Sequence, residues 1–186
     1  MANRQLPSPE VLRQLLSYDQ ATGLFFWRER TVAECSDARI RNSWNARYAN
    51  KAAFTGSEAT GYKVAKVLGV TVKAHRAAWA MHYGDWPAGW IDHMNGVRTD
   101  NRIENLRIAS GSENAMNRKV PANSTSGFKG VTWDKEAQKW MAYIKKAGRQ
   151  TKLGRFDCRI EAAKAYNAAA IVSFGEFASL NEIPAS

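Results

Sequence analysis

The sequence predicts an α+β chain made of two parts joined by a linker. Three observations carry that expectation. Upstream, β-rich runs are followed by a helical pattern. At 118–127 a cluster of Pro, Ser, Asn and Gly interrupts all patterning. Downstream, three short strand patterns precede an alanine-rich helix, the order of a small strand-plus-helix module. The 186 residues suffice for one ordinary domain or two small ones, and with 45% hydrophobic and 11% aromatic residues real cores can form.

Pro7-Ser8-Pro9-Glu10 opens a short helix through about Leu16, with Ser8 as N-cap and Pro9 at the first helical position. Gly23 to Arg28 reads as a strand, its aromatics suited to a pleated surface. Within 36–54, Ile40, Trp44 and Tyr48 recur every four residues and predict a helix. Its Arg39, Arg41, Arg47 and Lys51 suit either phosphate contact or a solvated face. Tyr62–Val67 and Val70–Lys73 flank Leu68-Gly69 as a hairpin. His75–Tyr83 then reads as a helix whose Ala-Ala-Trp-Ala run packs on that hairpin. Beyond the linker, 128–133, 139–146 and 149–156 read as strands, with turns at Asp134-Lys135 and Ala147-Gly148, and Glu161–Phe174 as a helix.

The charge points to a polyanion. The chain carries 27 Lys and Arg against 17 Asp and Glu, a net +10. Residues 118–160 alone hold 11 basic against 3 acidic side chains, a surplus of +8, so the charge is concentrated. Cys35 and Cys158 stand far apart, outside any C-x-x-C pair, which argues against a structural zinc, a zinc finger or a disulfide scaffold. No apolar run approaches the roughly 20 residues that span a bilayer. Met1–Glu10 lacks the apolar stretch of an export signal. A cytoplasmic protein with no membrane partner is expected.

Residues 91–117 are crowded with oxygen donors around one imidazole. Hydrolysis of a phosphodiester needs water deprotonated, phosphoryl charge neutralised and the departing oxygen stabilised. Histidine is the side chain suited to the first task near neutral pH. A hard divalent cation on oxygen ligands serves the others. Asp92 and His93, adjacent on a strand, would point to opposite faces and approach a phosphate from different sides. Asn114 adds a neutral oxygen, and Asn105 can orient the imidazole. A plainer reading makes Asp92-His93 a turn closed by Asn95-Gly96, with Ser110 and Glu113 a helix capping box.

The run His75-Arg76 … Ile91-Asp92-His93-Met94-Asn95-Gly96 … Asp100-Asn101-Arg102-Ile103-Glu104-Asn105-Leu106-Arg107 … Glu113-Asn114 … Asn117 closely resembles the HNH endonuclease family, in its phage and intron-associated homing branch. Those enzymes have a ββα-metal site, and the resemblance spans about residues 60–118. It implies His93 as general base, Asn105 as the central Asn positioning it, and Asp92 and Asn114 as ligands to Mg²⁺ or Mn²⁺. The family's third motif residue is often His, where this chain has Asn114. His75 matches the family's upstream His-Arg but is read, like His82, as structural.

The downstream run Ser126-Gly127-Phe128-Lys129-Gly130-Val131-Thr132-Trp133 … Lys139-Trp140-Met141-Ala142-Tyr143-Ile144 … Leu153-Gly154-Arg155-Phe156 … Glu161-Ala162-Ala163 … Asn181 resembles an AP2-type DNA-binding domain, over about 123–182. The resemblance implies a three-stranded antiparallel sheet backed by a helix, the sheet lying in the major groove. Candidate contacts on its exposed face are Lys129, Thr132, Trp133, Lys139, Tyr143, Lys145, Arg149, Lys152 and Arg155. The expected organisation is a nuclease part at 1–118, a linker at 119–127 and an AP2-like domain at 128–182. The expected function is metal-dependent cleavage of double-stranded DNA by a monomer or weak dimer, in a bacterial host cell if phage-encoded. The alternative is an AP2-type sequence-specific DNA-binding regulator with an inactive nuclease half.

Overall fold

A computed structural model gives the structure of residues 5–116, 120 and 124–184. Parts of the expected linker (119 and 121–123) lie outside these described residues, as do Asn117 and Arg118. The chain is a mixed helix-and-strand protein with small antiparallel sheets, and it divides into two compact units, Met1–Ile108 and Ala109–Ser186.

The first unit begins with α1 (Pro9–Leu15), where Ser8 Oγ accepts from Val11 N at 3.4 Å. The chain then enters β1 (Leu16–Asp19), antiparallel to β2 (Leu24–Trp27). The sequence suggests helix up to Leu16, but pairing with β2 turns the chain into a strand there and buries Leu16 and Phe25. α2 (Ala38–Tyr48) is shorter than the expected helical stretch, and Asn50 at φ 59° follows its end. β3 (Gly56–Ser57), β4 (Lys63–Val67) and β5 (Val70–Lys73) form a three-stranded antiparallel sheet in that order. Leu68 and Gly69, both at positive φ, make the two-residue turn that matches strand twist. α3 (Ala74–Tyr83) lays Ala77, Ala78 and Ala80 into the core with Val67, Val72, Leu12 and Phe25. Small side chains let this helix approach the sheet closely. β6 (Trp90–His93) pairs with β7 (Leu106–Ala109), and Ile91 and Leu106 join the same core.

The second unit opens with α4 (Gly111–Met116). Ser110 Oγ accepts from Glu113 N at 3.2 Å, while Glu113 Oε2 accepts from Ser110 N at 2.7 Å. This is the reciprocal capping box. β8 (Val131–Asp134), β9 (Lys139–Lys146) and β10 (Arg149–Phe156) form an antiparallel sheet with β9 central, backed by α5 (Arg159–Phe174). Ala162, Ala163, Tyr166 and Ala170 of α5 meet Val131, Ala142, Ile144 and Leu153. At Gly130, φ is 69° and a Cβ would strike the Tyr166 ring and the Tyr143 carbonyl, so only glycine lets β8 start there. Cys35 and Cys158 are free thiols. Among the described residues no helix is long and apolar enough to cross a membrane.

Candidate active site

Ile91, Asp92 and His93 are all buried on β6, at 4%, 3% and 3% exposure. A carboxylate and an imidazole tolerate such burial only with partners. Asp92 Oδ2 accepts from Arg107 Nη2 at 2.8 Å and from Arg107 Nε at 3.0 Å, so the neighbouring strand β7 supplies the compensating charge.

The imidazole of His93 is met by Asn101: Nε2 lies 3.3 Å from Asn101 Oδ1. Asn101 Nδ2 donates to Thr99 O at 3.2 Å, which turns the amide oxygen toward the ring. Nε2 is then the donor, and the basic lone pair falls on Nδ1. Asn101 is 4% exposed, and the segment it belongs to is anchored at two points. Tyr18 Oη donates to Asn101 O at 2.7 Å, and Ile103 N donates to Gln20 O at 3.3 Å. Gly23, at φ 73°, packs so closely that a Cβ would sit 2.5 Å from Arg102 N and 2.6 Å from Asn101 C. The β1–β2 hairpin therefore clamps the segment that orients His93.

Asn105 serves a different contact from the one expected. Its side-chain Nδ2 donates to Asn95 Oδ1 at 3.1 Å and to Asp100 O at 2.8 Å, and its Oδ1 accepts from Asn95 N at 3.0 Å. Gly96 N donates to His93 O at 2.8 Å, so Asn95-Gly96 does form a turn, but it follows the strand that carries Asp92-His93. Asn105 holds this turn, and Asn101 meets the imidazole. Both amides lie in the oxygen-rich segment, and its spacing alone does not tell which one faces the ring. Asn114 lies on α4 in the second unit, its N–H donating to Ser110 O at 3.0 Å.

Two rings that the sequence did not mark as functional complete the surroundings. His75 and His93 stand edge to face at 5.2 Å between centroids, and Tyr62 lies 4.7 Å from His75 and 5.8 Å from His93. His75 is 5% exposed, and among the described residues its Nδ1 has no hydrogen-bond partner. Burial, with the nearby His93, Lys73 and Arg76, pushes its pKa down to about 3, so the ring is neutral. Burial also lowers the His93 pKa, opposed by the Asn101 bond and by the Asp92 and Asp100 carboxylates. Arg98 and Lys73 place cationic heads 5.2 and 4.9 Å from the Tyr62 ring centroid, and Lys73 is paired with Glu58 at 2.7 Å. Arg76 donates to Gly89 O and Pro87 O, both at 3.1 Å, and so fixes the approach to β6.

Among the described residues no three His, Cys, Asp or Glu side chains come together as a metal cluster. What stands around His93 is the Asp92 carboxylate, the more distant charge of Asp100, carboxamides and a neutral imidazole. That is no closed zinc cage. It suits a Mg²⁺-type ion, which takes one or two carboxylates and completes its shell with water and substrate phosphate.

In the second unit, strand register sorts the candidate contacts. Val131 faces Ala142, Trp133 faces Trp140 and Thr151 faces Ile144, so these residues share the helix-backed side. Thr132, Lys139, Tyr143, Lys145, Lys152 and Arg155 share the opposite, open side. Trp133 and Arg149 therefore do not stand on the face expected for them. Trp133 is at the rim, 37% exposed and edge to face with Trp140 at 5.0 Å. Arg149 is separated from Arg155 by a bulge between Lys152 and Gly154, which flips the alternation. Lys129 is in the turn before β8, and burial pulls its pKa down to about 8. On the open face Arg155 pairs with Asp134 at 2.7 Å and Lys139 with Asp157 at 3.1 Å.

Residues 72–116 match the family model described as HNH endonuclease, and residues 126–175 match the AP2 domain. Over 79 residues the chain is 37% identical to "Protein 3.8" of Escherichia phage T7, covering 42% of this chain and 65% of that protein. Over 126 residues it is 30% identical to an uncharacterized HNH endonuclease of Acanthamoeba polyphaga mimivirus, covering 67% of this chain and 64% of that protein. The chain thus spans just under two thirds of the length of these curated relatives. No solved structure matches it.

Proposed function

We propose that this chain, with its HNH endonuclease-type segment followed by an AP2 domain, is a DNA endonuclease that hydrolyses phosphodiester bonds in duplex DNA. The observation that carries this reading is the buried Asp92-His93 pair, with Asn101 holding Nε2 and leaving Nδ1 as the base. His93 takes a proton from water as the water oxygen bonds to phosphorus. The P–O3′ bond breaks and its electron pair leaves with the 3′ oxygen, which is protonated on release. His93, with its pKa held low by burial, is in its basic form at neutral pH. His75 and Tyr62 pack against its ring and restrict its rotation.

Asp92 would hold Mg²⁺ or Mn²⁺, with Asn114 the second ligand that the resemblance to HNH endonucleases implies, and the bound ion would neutralise phosphoryl charge and stabilise the leaving oxygen. Arg107 pairs with the buried Asp92 carboxylate and holds it in orientation. The open face of β8–β10 docks the duplex. Lys and Arg side chains there would give affinity through phosphates, and any sequence preference would come from residues of this face that reach base edges. With one His93 site per chain, a monomer nicks, and a symmetric pair would cut both strands. Supercoiled plasmid incubated with Mg²⁺ or Mn²⁺ tests the reading: nicked circles that EDTA suppresses are expected. Tight duplex binding without nicking under either metal would leave the chain as a DNA-binding regulator.

A further inference from the structure

We infer that α2 is a second DNA-docking element, which inserts its outward face into a groove of the duplex. The inference rests on the DNA-nuclease reading only for the identity of the ligand. α2 is an 11-residue helix with no buried residue, so the core gives no reason for it. It is nonetheless fixed firmly. Asp37 caps it through Ile40 N at 3.0 Å. Asn45 brackets the backbone of Arg30, accepting from its N–H at 2.9 Å and donating to its carbonyl at 3.0 Å. Trp44 sets its ring edge-on to Trp27 at 5.8 Å beneath the Arg30 guanidinium at 4.0 Å. Arg41 donates to Cys35 O at 2.8 Å.

The half-buried positions Arg41, Trp44 and Asn45 mark the tethered side. At about 100° per residue the exposed arc opposite carries Arg39, Asn42, Ser43, Ala46 and Arg47, with the exposed Ile40 at its edge. That arc has no acidic residue, and neither Arg39 nor Arg47 has an acidic partner among the described residues. Guanidinium groups pair with phosphate or guanine, Asn with adenine, and Ala and Ser let a helix sit close to the base edges. The helix is about 16 Å long and of a width the major groove admits. A rigidly tethered helix whose outward arc carries donors, small side chains and positive charge, with the exposed Ile40 at its edge, is complementary to a duplex, where an apolar side chain can meet a thymine methyl.

The test is duplex binding by the full chain in EDTA, read by fluorescence anisotropy on a long mixed-sequence duplex across a salt series. Replacing Arg39→Gln and Arg47→Gln together should weaken binding about ten-fold or more near 0.1 M salt. It should also flatten the slope of log affinity against log salt by about 1–2, since each lost phosphate removes about 0.9. The pair Arg39→Lys and Arg47→Lys should keep the wild-type slope. Unchanged affinity and slope in the Gln pair, with an unchanged melting temperature, would overturn the inference. Because no cleavage enters this measurement, a chain that binds through α2 yet never nicks would sink the nuclease reading alone.

Discussion

The carboxamide oxygen of Asn101 lies 3.3 Å from Nε2 of His93, and the same amide is tied back to Thr99 O at 3.2 Å. The imidazole is thus oriented by a residue eight positions along the chain, itself locked by Tyr18 from the β1–β2 hairpin.

Asn101→Ala should lower kcat about 10–100-fold with little change in KM, because a buried ring N–H left unpaired costs about 1–3 kcal/mol. Asn105→Ala, which frees the 95–100 turn instead, should act first on thermal stability. Single-turnover cleavage and melting of the two variants separate the roles; equal effects of both on both readouts would contradict the assignment.

Arg107→Ala should destabilise the first unit by about 3–5 kcal/mol, the usual penalty for stranding a buried carboxylate. The Asp92 side chain is 4% exposed and Arg107 13%, so water cannot replace the lost partner cheaply. Urea unfolding in EDTA measures it, and a shift under about 1 kcal/mol would show that the pair is dispensable.

Acid should unfold the protein through His75. In the unfolded chain this ring takes a proton near its ordinary value of 6.5, whereas in the fold it does so only at about 3. Above pH 6.5 both states are neutral and His75 contributes no pH dependence. Between 6.5 and 3 the unfolded state binds the extra proton, so stability falls with falling pH by about 1.4 kcal/mol per unit from this group. Metal-free unfolding followed from pH 7 to 4.5 should show a shallower fall in His75→Asn; an identical slope would refute the linkage.

Gly130→Ala should disrupt the second unit, because the added methyl meets the Tyr166 ring and the Tyr143 carbonyl at a positive-φ position. A cost of about 3 kcal/mol or more is expected, in the range of severe overpacking plus backbone strain. Loss of duplex binding and of unit stability on calorimetry checks it, and wild-type melting would contradict the packing described.

Much of this architecture was legible locally. The two hairpin turns at Leu68-Gly69 and Ala147-Gly148, both at positive φ, stand where the strand patterns break. The alanines of α5 likewise announce a helix pressed on a sheet. β1 was not legible, because Leu15-Leu16 continues a helical pattern and only pairing with β2 turns it. At the site, Asp92 and His93 are adjacent on one strand and declare themselves. His75 and Tyr62 reach the same imidazole from α3 and from the position just before β4, a meeting made by tertiary packing. On the β8–β10 sheet, alternation alone separates Thr132 from Trp133. The bulge that separates Arg149 from Arg155 leaves no trace in simple periodicity.

The most direct measurement compares wild type with His93→Ala in single-turnover plasmid nicking with Mg²⁺ or Mn²⁺, alongside duplex binding in EDTA. A general base on Nδ1 requires the variant to cut about 10²–10⁴-fold more slowly while binding DNA as before. Nicking by His93→Ala at the wild-type rate would mean that this imidazole is not the base.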